Sequence, residues 1–273
     1  MGSKNLLCLH TGGISKSFEE LKTFQPPKAT KTYSPVAHSD LIGIVKDNAE
    51  KTLQGYSFKD ESFGVSPKIG ENIGDKLFGV MTYEHDTIPD LGLSIGIRNS
   101  YDQSLSAGLV CGAKVFVCDN LAFSGDIRVS RKHTGDVVGD LENLIKSAMY
   151  QAPGRHQAIA TDMEHMKEYS CTNDEAYSIL GVAYGRDILK PRQLLGARNA
   201  WLNPPQEDFE DRNLWSLYNA ITEALKSSSA REIMESHVSS HQLVMNEGIM
   251  LLEDDVYSKQ NFGKLANGGD HLV

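Results

Sequence analysis

The feature that most restricts the fold is the stretch LGLSIGIR at residues 91–98, in which apolar side chains alternate strictly with small or polar ones. Successive side chains of a β-strand point to opposite faces of the sheet, so this pattern predicts a strand with one packed face and one face that is nearly bare as far as Arg98. Residues 77–83, 109–118 and 127–133 also have the composition or the alternation of strands. Three further strands are therefore expected beside 91–98.

Helical spacing of apolar residues precedes and follows this β-rich region. One apolar stripe begins at Leu41 and recurs every three or four residues, and similar stripes follow one another from Asp136 onward. Thr172 and Glu175 have the spacing of a capping box, which typically begins a helix. The C-terminal half is therefore predicted to be helical.

The order of these segments predicts an α+β fold, with an antiparallel β-meander over about 56–133 that is packed by helices. We expect a single domain over 39–257, whose helical part covers 136–252. Glycine and proline pairs interrupt any period in 1–38, so this segment is expected to be a flexible N-terminal arm. Residues 258–273 are expected to form a frayed tail.

The net charge of −9 argues against non-specific coating of DNA, because phosphate binding requires cations. The charge is unevenly distributed along the chain. Residues 206–273 carry five basic against twelve acidic side chains, whereas 98–134 carry five basic against three acidic ones. A local cationic site is therefore expected within 98–134.

The composition predicts a protein that stays in the cytoplasm and does not contact a membrane. No apolar run is long enough to cross a bilayer, and the first ten residues lack the core and the cleavage site of a signal peptide. The four cysteines show no CxxC pairing and no histidine at zinc-finger spacing, so we expect free thiols.

The common catalytic and cofactor-binding motifs are absent from the sequence. The pair Gly263-Lys264 lacks the other residues of a Walker A loop, and Gly181-x-x-x-Gly185 lies in a helical pattern instead of following a strand. His237 and His241 have metal-ligand spacing on an expected helix, but no third ligand accompanies them. We therefore expect no metal and no cofactor, and we interpret both histidines as packed or exposed.

An antiparallel meander would bring the charged ends of two strands together. The end of 91–98 would lie beside the start of 109–118 and beside the end of 127–133, at one edge of the sheet. We predict a nucleic-acid-binding site there, in which cationic groups neutralise phosphates and Tyr101 stacks on a base. The candidate residues are Arg98, Asn99, Tyr101, Asp102, Arg128, Arg131, Lys132, His133 and Thr134.

Cys118 would fall at the opposite edge of the sheet. Asp119 and Asn120 suit an Asx turn, Gly125 suits a position of positive φ, and Phe123 can cover the sheet edge. No base is expected beside the thiol, so this segment is predicted to be a turn rather than a nucleophile site.

Four blocks of the sequence resemble the signature blocks of a known family. They are Arg98-Asn99-Ser100-x-Asp102, Val115-x-Val117-Cys118-x-Asn120, Arg131-x-His133-Thr134 and Trp215-x-Leu217-Tyr218-Asn219-Ala220-x-Thr222-Glu223. Over about 40–250 the chain resembles a family of phage/plasmid-like proteins of unknown function, many of which carry histidine in place of Tyr101. The resemblance implies a mobile element inside a bacterium and no established reaction. The order of strands and long helix is also similar to that of Rad52-type single-strand annealing proteins, which assemble into rings and hold single-stranded DNA against a basic groove.

Three functions are compatible with these residues. The preferred one is a phage- or plasmid-encoded, homo-oligomeric protein that binds single-stranded nucleic acid in recombination. The second is a protein-binding inhibitor of a host defence or host enzyme complex, in which the acidic 206–273 would complement a basic host protein. The third, which we expect least, is a hydrolase or nucleotide-handling enzyme that uses Arg98, Asp102 and His133.

Overall fold

The computed structural model describes residues 13–67, 74–115, 121–122, 127–228 and 232–253. The strands within these ranges are Ile14–Lys16 (β1), Ser57–Val65 (β2), Lys76–Glu84 (β3), Leu91–Ser100 (β4), Ala107–Val115 (β5), Leu121–Ala122 (β6) and Arg128–Arg131 (β7). The α-helices are Phe18–Leu21 (α1), His38–Thr52 (α2), Val137–Glu168 (α3), Asn173–Gly185 (α4), Pro191–Leu202 (α5), Leu214–Leu225 (α6) and Ile233–Gln242 (α7). A π-helical segment, Leu243–Gly248, continues α7, and the chain then returns to α-helix up to residue 253. None of the helices in the described ranges is long and apolar enough to cross a membrane.

The described strands form one sheet in which every pair is antiparallel, which confirms the predicted α+β fold and its β-meander. The strands follow one another in the order β1-β2-β3-β4-β5. The far side of β5 is divided between two short strands, because β7 pairs with Ala107–Val110 and β6 pairs with Ala113 and Lys114. Short connections between antiparallel neighbours need no crossover, so the order in the sequence is also the order in space.

Helices α2 and α3 cover one face of the sheet. The strand side chains that were predicted to be packed, including Leu93, Ile95 and Ile97, are fully buried there. Val45 from α2 and Ile145 from α3 belong to the same core. The alternation of β4 therefore faces a helical layer, as expected for a two-layer α+β domain.

The 32-residue helix α3 joins this sheet core to a second, helical core. Leu141 and Ile145 in its first half pack in the sheet core, whereas Ile159 and Met166 in its second half pack against α4, α5 and α6. Pro153 lies between the two halves of the helix. One continuous helix thus contributes to both cores.

The predicted capping box is confirmed at the start of α4. The Thr172 hydroxyl accepts a hydrogen bond from the backbone N–H of Glu175, and the Glu175 carboxylate accepts one from the backbone N–H of Thr172, at 3.3 and 2.7 Å. Two backbone N–H groups that have no partner inside the helix are satisfied in this way.

The N-terminal segment differs from the expected flexible arm in its described part, 13–38. β1 extends the sheet by pairing Ile14 with Val65, and a capping box between Ser17 and Glu20 begins α1. Leu21 is fully buried in the sheet core. The prolines that suggested disorder, Pro26, Pro27 and Pro35, instead lie between α1 and α2, while β1 packs on β2 and α1 packs on α2. Residues 258–273 lie outside the described residues.

Candidate functional site

The strand register brings the predicted ends together at one end of the sheet, as expected. Arg98 of β4 is the register partner of Gly108 of β5, and Gly108 is the partner of Ser130 of β7. Arg131, the last residue of β7, is the partner of Ala107. The antiparallel directions on which the prediction depended are therefore present.

The side chains of Arg98 and Arg131 nevertheless lie on opposite faces of the sheet, so the predicted composite rim is wrong. Register partners share a face and successive residues alternate, which places Arg98 with Ser130 and Arg128 and places Arg131 with the helices. The Arg131 Nε atom donates to Asp140 of α3 at 2.7 Å. Arg131 follows Ser130, which shares the face of Arg98, and this difference of one position along β7 places the two guanidinium groups on opposite faces.

Tyr101 and Asn99 are buried structural residues, which corrects their predicted contact with bases. The Tyr101 ring stacks on His38 with 4.0 Å between ring centroids, and its hydroxyl accepts a hydrogen bond from the His38 backbone at 3.0 Å. The Asn99 amide donates to the Val36 carbonyl at 2.8 Å, and its side chain is fully buried. Asn99 shares the face of Ile97, so it lies beneath the start of α2.

The proposed enzyme residues do not converge. Asp102 accepts hydrogen bonds from the backbone and the hydroxyl of Ser104, at 3.0 and 2.6 Å, and forms an ion pair with Lys76. His133 is buried edge-on to Tyr33, and this burial lowers the pKa of its imidazole. Thr134 is exposed beyond the end of β7, as is Lys132.

Arg98 instead lines a polar cavity of about 480 Å³, here called the cleft, where the two halves of the molecule meet. One wall is the end of the sheet, with Arg98 and the β4–β5 connection. The second wall is the α4–α5 connection, with Arg186 and Lys190, and the third is α7, with Glu235 and Ser236. Asp102, His133 and Thr134 are not part of its lining.

Two arginines share one carboxylate at the cleft. The Oε1 atom of Glu235 accepts hydrogen bonds from Nη1 of Arg98 at 3.2 Å and from Nη2 of Arg128 at 2.7 Å. Its Oε2 atom is buried and has no hydrogen-bond partner in the described part of the chain. Two cations against one anion leave this group of three with one excess positive charge.

The second cationic wall was not predicted from the sequence. Arg186 forms an ion pair with Glu247, and Lys190 lies 3.7 Å from a carboxylate oxygen of Asp187. Residues 186–198 carry four basic side chains and one acidic one, a stronger local excess than that of 98–134. A charge count over every short window would have found this segment.

The other candidate metal-ligating or reactive side chains have structural roles where the chain is described. His237 and His241 are buried, and Nε2 of His241 lies 3.1 Å from Asp162. No group of three or more ligating side chains in the described ranges could hold a metal ion. Burial raises the pKa of the Cys111 thiol to about 12, which keeps it protonated and unreactive. The predicted turn at Cys118 lies outside the described residues.

A second cavity of about 680 Å³ lies between α4 and the π-helical segment. Its floor is apolar, with Ile179 and Val182 of α4 facing Leu243 and Gly248 of the π-helical segment. We call this cavity the α4 groove.

Comparison of the chain with protein-family models, with curated proteins and with solved structures gives no match.

Proposed function

We propose that this protein binds single-stranded nucleic acid by holding its phosphates in the cleft. The observation that carries the proposal is the pair of guanidinium groups of Arg98 and Arg128, which share one oxygen of Glu235 and retain an excess positive charge. Lys190 and Arg186 line the same cleft from the helical half. The cleft lining carries three basic side chains (Arg98, Arg186 and Lys190) and three acidic ones (Asp187, Glu232 and Glu235). Arg128, which contacts Glu235 beside the cleft, therefore supplies the excess positive charge that would attract a phosphate.

The chemistry of the arginines supports this proposal. A guanidinium group carries five N–H donors in a planar fork that fits two oxygens of a phosphate, and each arginine uses one of them for Glu235. The hydroxyls of Ser236 and Ser239 line the cleft as further donors to phosphate or sugar oxygens.

The size and the lining of the cleft favour a single strand over a duplex. A volume of about 480 Å³ is in the range of small-molecule sites, which accommodates a short piece of one strand. None of the lining residues is aromatic, so stacking on bases contributes little. We therefore expect binding that depends little on sequence and strongly on salt.

The test is fluorescence anisotropy with a fluorescein-labelled oligothymidylate over a range of salt concentrations. The double variant Arg98→Gln/Arg128→Gln removes two phosphate contacts, so its Kd at about 0.1 M salt should rise roughly twentyfold and its salt slope should become shallower by about 1.4. Arg131→Gln is the matched control, because it makes the same type of substitution at the same end of the sheet but on the opposite face.

The control should change the Kd by less than about twofold, because surface charge away from a site acts mainly through weak, screened fields. Lys190→Gln provides a second variant whose side chain is half exposed, so a failure of the double variant to fold leaves the proposal testable. Equal affinities of wild type, Lys190→Gln and the double variant would exclude binding in the cleft.

Purification gives an independent observation of the ligand and of the expected homo-oligomer. Co-purifying nucleic acid raises the ratio of absorbance at 260 nm to that at 280 nm, and nuclease treatment should lower it. Mass photometry on the same sample measures the assembly state before and after that treatment.

A further inference from the structure

We infer, on the basis of the proposed function, that Glu235 is a built-in competitor of the phosphate: its carboxylate occupies the two arginines until a nucleic-acid phosphate displaces it. The contact is long-range, since Glu235 lies 137 and 107 residues from Arg98 and Arg128 along the chain. The helical half of the molecule thereby supplies the group that regulates a site on the sheet.

The carboxylate binds as a phosphate oxygen would. Its Oε1 atom accepts an N–H from each of two guanidinium groups, at 3.2 and 2.7 Å. The two non-bridging oxygens of a phosphodiester form the same charge-assisted hydrogen bonds with guanidinium groups. A strand that enters the cleft therefore competes with Glu235 for the same donors.

Only one of the two carboxylate oxygens of Glu235 accepts hydrogen bonds among the described residues. Its Oε2 atom is buried without a hydrogen-bond partner among the described residues, and a buried acceptor without a partner is unfavourable. The side chain as a whole is 42% exposed, so rotation about its own bonds is enough to move the carboxylate into water. Release of Glu235 would remove an unsatisfied buried oxygen.

Arg98 is held more firmly than Glu235, whereas the Arg128 side chain is 48% exposed. The Arg98 side chain is only 11% exposed and is attached to a strand in the centre of the sheet. Glu235, in contrast, lies in the first turn of α7, where the helix dipole stabilises a carboxylate whether or not it contacts an arginine. Displacement of Glu235 thus leaves the more deeply buried of the two arginines, Arg98, in place.

The experiment is the same salt-dependent anisotropy titration, carried out on Glu235→Gln. Removal of the competing charge should lower the Kd about fivefold at about 0.1 M salt and make the salt slope steeper by about 0.7, the contribution of one additional phosphate contact. Glu207→Gln, in the exposed turn before α6, is the control for the change in net charge and should bind as wild type does.

The outcomes separate this inference from the function on which it rests. If Arg98→Gln/Arg128→Gln weakens binding while Glu235→Gln binds no more tightly than wild type, Glu235 is a positioning residue and competition is excluded. If neither wild type nor Glu235→Gln binds, the proposed function itself is wrong. Should Glu235→Gln unfold, Glu235→Asp keeps the charge on a shorter side chain, and an unchanged Kd for that variant would also exclude competition.

Discussion

His38 is a fully buried histidine that joins the start of α2 to the end of β4. Asn99 donates a hydrogen bond to its Nδ1 atom at 3.0 Å, so Nε2 carries the proton and donates to the Gly74 carbonyl at 2.8 Å. Burial lowers the pKa of His38 from its ordinary 6.5 to about 4, and burial does the same to His156 beneath β4. Both rings are therefore neutral in the folded protein at pH 7.

These two histidines predict how stability depends on pH. The unfolded chain binds more protons than the folded one between about pH 6.5 and pH 4, so the free energy of unfolding should fall as the pH falls through that window. Each histidine contributes at most about 1.4 kcal/mol per pH unit. Urea unfolding at several pH values measures the slope, and His38→Gln should be less stable at pH 7 and less sensitive to pH. An unchanged slope in that variant would contradict the assignment.

Single residues also show what the sequence could not reveal. The apolar residues of β4 are buried as its alternation predicted, but Ser94 on the opposite face is fully buried as well, which the alternation did not predict. The position of Arg98 near the end of the strand was right. The environment of Tyr101 was not predictable, because its stacking partner, His38, lies 63 residues earlier and no local pattern links them. In the sequence, an aromatic residue near arginines suggests a site for stacking on bases. In the folded protein the Tyr101 ring already stacks on His38 and cannot serve that purpose.

At the scale of the elements, glycine is required where β7 crosses close to β5. A Cβ atom at Gly108 would lie 2.2 Å from the Val129 carbonyl oxygen, and that backbone cannot move without breaking the strand pair. Gly108→Ala should therefore destabilise the protein by about 1–3 kcal/mol. Urea denaturation followed by circular dichroism measures the change.

The matched substitution is Gly154→Ala in the middle of α3. No atom lies within 4 Å of the added methyl group, so only the gain in helix propensity remains, and the protein should become more stable by about 0.5–1 kcal/mol. The two variants add the same atoms and are expected to have opposite signs. The same sign for both would contradict the described path of β7.

The strands and helices were largely predictable because the spacing of apolar residues that indicates each of them lies within the element itself. Alternation identified β4, and the helical stripes and the capping box at Thr172 identified the C-terminal helices. The way β6 and β7 divide β5 was not predictable, nor was the position of α7 over Arg98 and Arg128. Such contacts depend on packing between segments that are distant in the sequence, and the hydrophobic periodicity of either segment does not predict them.

At the scale of the whole molecule, α3 should make the two cores unfold together. Trp201 and Trp215 both lie in the helical core, so their fluorescence reports that half, whereas Ile95 lies in the sheet core. Ile95→Ala should cost about 2–5 kcal/mol and should lower the Tm seen by tryptophan fluorescence as much as the Tm seen by far-UV circular dichroism. A fluorescence transition that stays at its wild-type temperature would show that the cores unfold separately.

The cleft could not be located from the sequence, because it too is formed by segments that are distant in the sequence. Arg98 comes from the predicted sheet end, but Arg186, Lys190 and Glu235 come from the helical half, whose position over the sheet depends on how the two halves pack. The prediction therefore contained one wall of the cleft and lacked the other two.

The π-helical segment Leu243–Gly248 sets the helical phase of residues 249–253, the last ones that the structure describes. Each residue of an α-helix turns the chain by about 100°, so deleting one residue here would rotate the last turns by that angle relative to α4. Glu247 would leave Arg186, and Leu251 would no longer face the α4 groove. Because the π-helical segment changes the helical phase, one continuous helix directs Glu235 toward the cleft and, twelve residues later, directs Glu247 toward Arg186 on the adjacent wall of the cleft.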